Sequence, residues 1–131
     1  SNPESISTQM ARVETGDFAG GTVAAAIVKE VNANNSSSTG RVGSIGVVLG
    51  ATIVADDYGI SLDELAASPA TPVLAPGFGH QGARFSDIRD RYGAVSPYVI
   101  VSISRGVLSA GPHGIAEAIA RATGELSECL A

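Results

Sequence analysis

Positive charge is scarce in this sequence. Lys and Arg together number 8 against 13 acidic residues, giving a net charge of −5, and Lys29 is the only lysine. The one basic stretch, Arg84, Arg89 and Arg91, is interleaved with Asp87 and Asp90. A chain without a positive face is not built to neutralise a phosphate backbone, so nucleic acid is excluded as a partner. Cysteine is nearly absent too. With Cys129 alone no disulfide can form within the chain, and a reducing, cytoplasmic compartment is expected. The two histidines, His80 and His113, lie far apart in sequence and Cys129 is remote from both, so the three or four ligands of a zinc site are not assembled and no metal is expected. No apolar run approaches the roughly 18 residues that span a bilayer. The first residues are polar, unlike a secretory signal. The chain opens at Ser1 and not at Met, so an upstream segment is expected.

What is present reads as one globular domain. The 131 residues are 44% hydrophobic and only 16% charged, with few aromatics and no Trp. Three short β-rich runs stand out: Val42–Leu49, Pro72–Ala75 and Tyr98–Ser104. They are apolar and β-branched without strict alternation, which suits parallel strands covered on both faces. Their starts lie 30 and 26 residues apart, the length of a strand with its crossover helix.

The intervening segments carry helix signals. Asn2 and Pro3 suit a helix start, with Ile6, Met10 and Val13 on one face. Residues 16–21 read as a break. A second helix is expected over Thr22–Val31, followed by a polar loop over Asn32–Gly40. Ser61 with Glu64 forms a capping-box pattern ahead of a helix over Ser61–Ala67. Ser86–Tyr92 reads as a helix ended by Gly93. Ile115, Ile119, Ala122 and Leu126 form the stripe of a last one. The two carboxylate pairs, Asp56-Asp57 and Asp63-Glu64, suit helix starts, where they offset the dipole. Alternating strands and helices leave two architectures open, a doubly wound sheet or part of a (β/α)8 barrel. A full barrel needs about 250 residues.

The chemistry concentrates after the second and third strands. Pro76-Gly77-Phe78-Gly79-His80-Gln81-Gly82 satisfies G-x-G-x-x-G. A dinucleotide site also wants an acidic residue about 20 positions on. None occurs between Asp90 and Glu117, and the next strand ends instead in Ser104-Arg105-Gly106. The alternative is a phosphate cradle. Glycines let backbone N–H groups approach an anion, Gln81 adds an amide donor, and Arg105 adds a guanidinium able to grip phosphate with two bonds. The plainer reading is a tight turn with Arg105 paired to a surface carboxylate. Two such elements on consecutive strands favour the phosphate site.

These segments carry a family resemblance. LAPGFGHQGA (Leu74–Ala83) followed by VSISRGVLSAGP (Val101–Pro112) resembles the strand-seven and strand-eight region of orotidine 5′-phosphate decarboxylases of the longer bacterial type. Ser1–Glu4 resembles the end of that family's strand five, and Val47–Thr52 its strand six. The resemblance implies an α/β fold, the C-terminal half of a TIM barrel of the ribulose-phosphate-binding type, forming a single partial domain over residues 1–131. It implies that Gln81, Arg105 and Ser104 contact the substrate phosphate, and that Pro76, Gly77 and Gly79 shape the loop over phosphate and pyrimidine. Ser1 would meet the pyrimidine. His80 and Ala83 depart from the family's pattern in this loop.

The implied reaction, orotidine 5′-monophosphate to UMP and CO2, needs neither metal nor cofactor. It depends on a D-x-K-x-x-D network that this chain lacks, since Lys29 stands in a helical stretch without it. No catalytic residue is therefore expected here, and the chain alone is expected to be inactive. A homodimer of the intact enzyme is implied. A half barrel would expose its inward strand faces, with Val99, Val101 and Ile103 as candidates, and so would need an N-terminal half or another copy of itself. The rival functions are another phosphate-binding barrel lyase or isomerase, and a non-catalytic phosphate-binding module.

Overall fold

A computed structural model describes residues 5–131 of the chain. The expected roles of Ser1, Asn2 and Pro3 lie outside the described residues. The centre is a three-stranded parallel sheet of β1 (Val47–Val48), β2 (Val73–Pro76) and β3 (Val99–Ser102), paired in chain order. Val47 pairs with Val73 and Val73 with Val99; one residue on, Val48, Leu74 and Ile100 stand in register. Each crossover carries helix: α3 (Leu62–Ala66) between β1 and β2, and α4 (Ile88–Tyr92) between β2 and β3. The longer α2 (Val23–Asn35) precedes the sheet, and α6 (Gly111–Leu130) closes the chain.

Local chemistry sets most of these boundaries. Thr22 caps α2 by accepting from the Ala25 N–H at 3.0 Å, and Ser61 caps α3 by accepting from the Glu64 N–H at 3.2 Å. Gly93 ends α4 with φ +47°. The face of α6 runs through Ile115, Ala118, Ala122, Leu126 and Cys129, with Ala118 buried. Ile119, expected in that stripe, is exposed instead, because α6 rolls its Ala118 side toward the sheet. Arg89 ties α4 to the end of α6 by donating to the carbonyls of Cys129 and Leu130.

Three other expectations are corrected. The first helix, α1 (Ile6–Gln9), is short, and Val13 lies beyond it. Arg12 bridges Thr22 in antiparallel fashion, so the chain folds back on itself before α2. The polar loop begins later than expected, because α2 continues to Asn35, and that residue is fully buried. The first strand is also interrupted. Gly43 donates to the Ala70 carbonyl and Val47 to that of Pro72, so one chain advances four residues while its partner advances two. Asn35 serves the bulge: its amide donates to the Ile45 carbonyl at 2.8 Å and its oxygen accepts from the Ile45 N–H at 3.0 Å. Thr71 and Asn32 extend this network. A Cβ on Gly43 would fall 2.2 Å from the Asn35 side chain, which explains the glycine there.

The core lies on one face of the sheet. Leu65, Val73, Ala75, Ile88 and Val95 are wholly inaccessible, and Val99, Val101 and Ile103 pack against them. The opposite row, Val48, Leu74 and Ile100, is 57%, 41% and 58% exposed. Strand periodicity thus sends Val99, Val101 and Ile103 to the covered side, the reverse of what was expected. It is the alternate residues that face outward.

Candidate functional site

The carboxyl ends of β2 and β3 lie side by side, with Pro76 paired to Ser102. The loops leaving them therefore start from neighbouring points. Between them is a cleft of about 140 Å³ lined by Pro76, Gly77, His80, Gln81, Ser104 and Arg105, with Phe78, Ser102, Ile103 and Gly106 completing it. That is below the roughly 300 Å³ at which pockets for drug-sized ligands begin, so the cleft has room for a small group and not for a whole nucleotide.

The first loop is held from beneath. Phe78 is buried against Phe85 and Tyr92, with ring centroids 5.5 and 6.5 Å apart. The Tyr92 hydroxyl donates to the Leu49 carbonyl at 2.9 Å, and burial pushes its pKa up to about 12. Next along, the Ala51 N–H donates to the Pro76 carbonyl at 2.8 Å, which pins the end of β1 to the start of the loop. Gly77 has φ +115°, and a Cβ there would lie 3.3 Å from the Gln81 amide oxygen and 3.5 Å from Thr52. The Gln81 side chain therefore folds back over Gly77, and only glycine combines this dihedral with that closeness.

Three of the N–H groups expected to face an anion are used within the loop itself. The Gly79 N–H donates to the Ala83 carbonyl, that of Gly82 to Gly79, and that of Ala83 to Gly77. These groups close the turn and are not presented to an anion. Side chains carry the polarity of the cleft instead: Gln81 and His80 from the first loop, Arg105 from the second. Arg105 opens a short helix, α5 (Arg105–Leu108), which sequence reasoning did not foresee. Among the described residues the ion pairs are Arg84–Asp87 and Arg91–Asp87, so Arg105 has no carboxylate partner.

Of the site residues expected from sequence, Gln81, Arg105, Ser104, Pro76 and Gly77 line one cleft. Gly79 sits at the turn and lines the adjoining groove with Phe85, Ile103 and Val107. His80 was missed as a lining residue; its place beside Gln81 was the available signal. Among the described residues no group of three or more His, Cys, Asp or Glu is placed to hold a metal. No helix of the described residues is long and apolar enough to cross a membrane. Lys29 lies exposed in α2 and does not line the cleft.

The fold and cleft define a parallel α/β protein with a polar site at the carboxyl edge of adjacent strands. Comparison with known proteins narrows this. The chain is 41% identical over 131 residues, its whole length, to the orotidine 5′-phosphate decarboxylase of Salinispora arenicola, covering 43% of that protein. It is 42% identical over 116 residues to that of Salinispora tropica, which is 88% of this chain and 38% of the relative. With that of Myxococcus xanthus it shares 36% identity over 113 residues, 86% of this chain and 36% of the relative. Over its whole length the chain is homologous to part of an orotidine 5′-phosphate decarboxylase. It spans less than half the length of these curated relatives. No protein-family model matches the chain. No solved structure matches it either.

Proposed function

We propose that this chain forms the phosphate- and pyrimidine-binding half of an orotidine 5′-phosphate decarboxylase, which converts orotidine 5′-monophosphate to UMP and CO2 in pyrimidine synthesis. The observation that carries this is the meeting of Gln81 and an unpaired Arg105 in one cleft, in a chain homologous to that family. Arg105 would hold the phosphate by charge-assisted bonds, with Gln81 and Ser104 adding neutral ones. Phosphate held away from the reacting ring supplies binding energy that can be used to lower the barrier there.

The reaction's proton donor does not come from this cleft, which contains no lysine. The chain alone is inactive on this reading, and an N-terminal half bearing D-x-K-x-x-D supplies the chemistry. The sheet supports this division. Its order β1-β2-β3, with every neighbour parallel, fits consecutive strands of a barrel wall. The bare row Val48, Leu74 and Ile100 would become the barrel interior, covered by the remaining strands or by another copy. A cytoplasmic homodimer is the intact form we expect, acting without metal or cofactor.

The test is titration of the chain with UMP and assay of CO2 release from orotidine 5′-monophosphate, each for the chain alone and with a co-expressed polypeptide carrying D-x-K-x-x-D. Decarboxylation only in the mixture, with UMP affinity reduced on the order of a hundredfold by Arg105→Ala, is the expected result; a lost charged contact of this kind removes about 2–3 kcal/mol. No UMP binding in either sample would refute the assignment.

A further inference from the structure

We infer that His80 is a further side-chain ligand to the substrate phosphate, making its binding tighter as pH falls. This rests on the reading of the cleft as a phosphate site. His80 is exposed and lines the same cleft as Gln81 and Arg105. It stands next to Gln81 in a turn whose form is fixed by the Gly79, Gly82 and Ala83 backbone bonds. That turn is anchored through Phe78, so the position of residue 80 is set before any ligand arrives.

The charges around His80 make the direction of the effect plain. Among the described residues, Arg105 is the one Lys, Arg, Asp or Glu that lines the cleft. Between Gly77 and Ala83 the loop carries no further titratable group. Arg84, just beyond, is engaged with Asp87. A phosphate dianion held between His80 and Arg105 favours the imidazolium form. Phosphate and proton thus promote each other's binding, and by linkage the ligand raises the imidazole's proton affinity. Imidazole is the side chain suited to switch in this way near neutral pH.

The chain's two histidines supply an internal control, because His113 lies exposed in the first turn of α6 and outside the cleft. The experiment is a proton NMR titration of both imidazoles with and without saturating UMP, with uridine as the ligand lacking phosphate. UMP affinities of the unaltered chain and of His80→Asn are measured in parallel at pH 6 and pH 8. The comparison between the two proteins cancels the titration of UMP's own phosphate. We expect UMP, but not uridine, to raise the His80 midpoint while leaving His113 unmoved. His80→Asn should weaken UMP binding about three- to tenfold at pH 6 and hardly at all at pH 8, in keeping with a solvated charge-assisted contact. His80→Arg should hold affinity at both pH values. If UMP binds in an Arg105-dependent way but the His80 midpoint stays fixed and His80→Asn binds equally at both pH values, the inference is overturned and the phosphate site stands. If the unaltered chain binds no UMP either alone or with the complementing half, the phosphate site and this inference fall together.

Discussion

The two faces of the sheet are made of the same kinds of residue and meet opposite fates. On one, Val73 and Ala75 are inaccessible under α3, α4 and the segments beside them. On the other, Val48, Leu74 and Ile100 form an aliphatic row with nothing over it among the described residues. Composition does not separate the faces. Pleat parity does, with the packing partners that reach only one side. On the proposed reading this contiguous apolar row is the surface that the complementing half or another copy would cover.

The largest expected effect breaks that comparison directly. Val73→Asp places a carboxylate where no water reaches and should abolish folding, read as loss of the thermal transition by circular dichroism. Ile100→Asp, one strand over and one pleat away, should change the melting of the isolated chain by only a degree or two. It should instead prevent assembly with the complementing half in a co-purification. Equal damage from the two substitutions would show that the outer face is not bare in solution.

A middle-sized effect is expected where the covered side meets the interrupted first strand. Asn35→Ala leaves the Ile45 N–H and carbonyl and the Thr71 hydroxyl short of a partner. It should cost about 2–3 kcal/mol in urea unfolding, the penalty of buried groups left unpaired. Asn34→Ala, whose side chain only bonds the Glu30 carbonyl on the exposed face of α2, is the control and should be nearly silent.

The smallest effect sharpens the comparison at high pH. Tyr92 keeps its proton more tightly when folded, with a pKa of about 12 against an ordinary 10.0, because it is buried. A folded-state value above the unfolded one means stability is intact below pH 10 and declines as pH rises toward 12. Ultraviolet titration should show one tyrosine ionising late, and Tyr92→Phe should remove that part of the alkaline decline. At neutral pH the same substitution should cost about 1 kcal/mol through the lost bond to Leu49.

Much of this was legible beforehand, and the residues show why. Ser61 caps its helix through an atom three positions away, so its sequence neighbourhood was enough to place it. The Gly77–Gly82 turn and the Arg105 segment were recognisable because each is a local motif after a strand. Asn35 was misread as loop because its partners, Ile45 and Thr71, lie far along the chain. The exposed strand face was assigned to the wrong parity. An apolar run such as Tyr98–Ser104 carries no polar residue to mark which side faces out, and a one-residue change of parity turns every side chain over.

By itself, then, the sequence determined the strand–helix rhythm, the Ser61 cap, the family resemblance, and the candidacy of Gln81 and Arg105, all of which depend on short-range spacing. Only the tertiary structure decided that the loop's N–H groups close its own turn, that His80 joins the cleft, and that Val48, Leu74 and Ile100 form the uncovered row. The last two outcomes depend on which strand lies beside which and in what register, settled by residues paired 26 apart in the chain; the turn closes through local bonds, but the same glycine pattern allows its N–H groups to face an anion or their own loop, and only the folded backbone distinguishes the two.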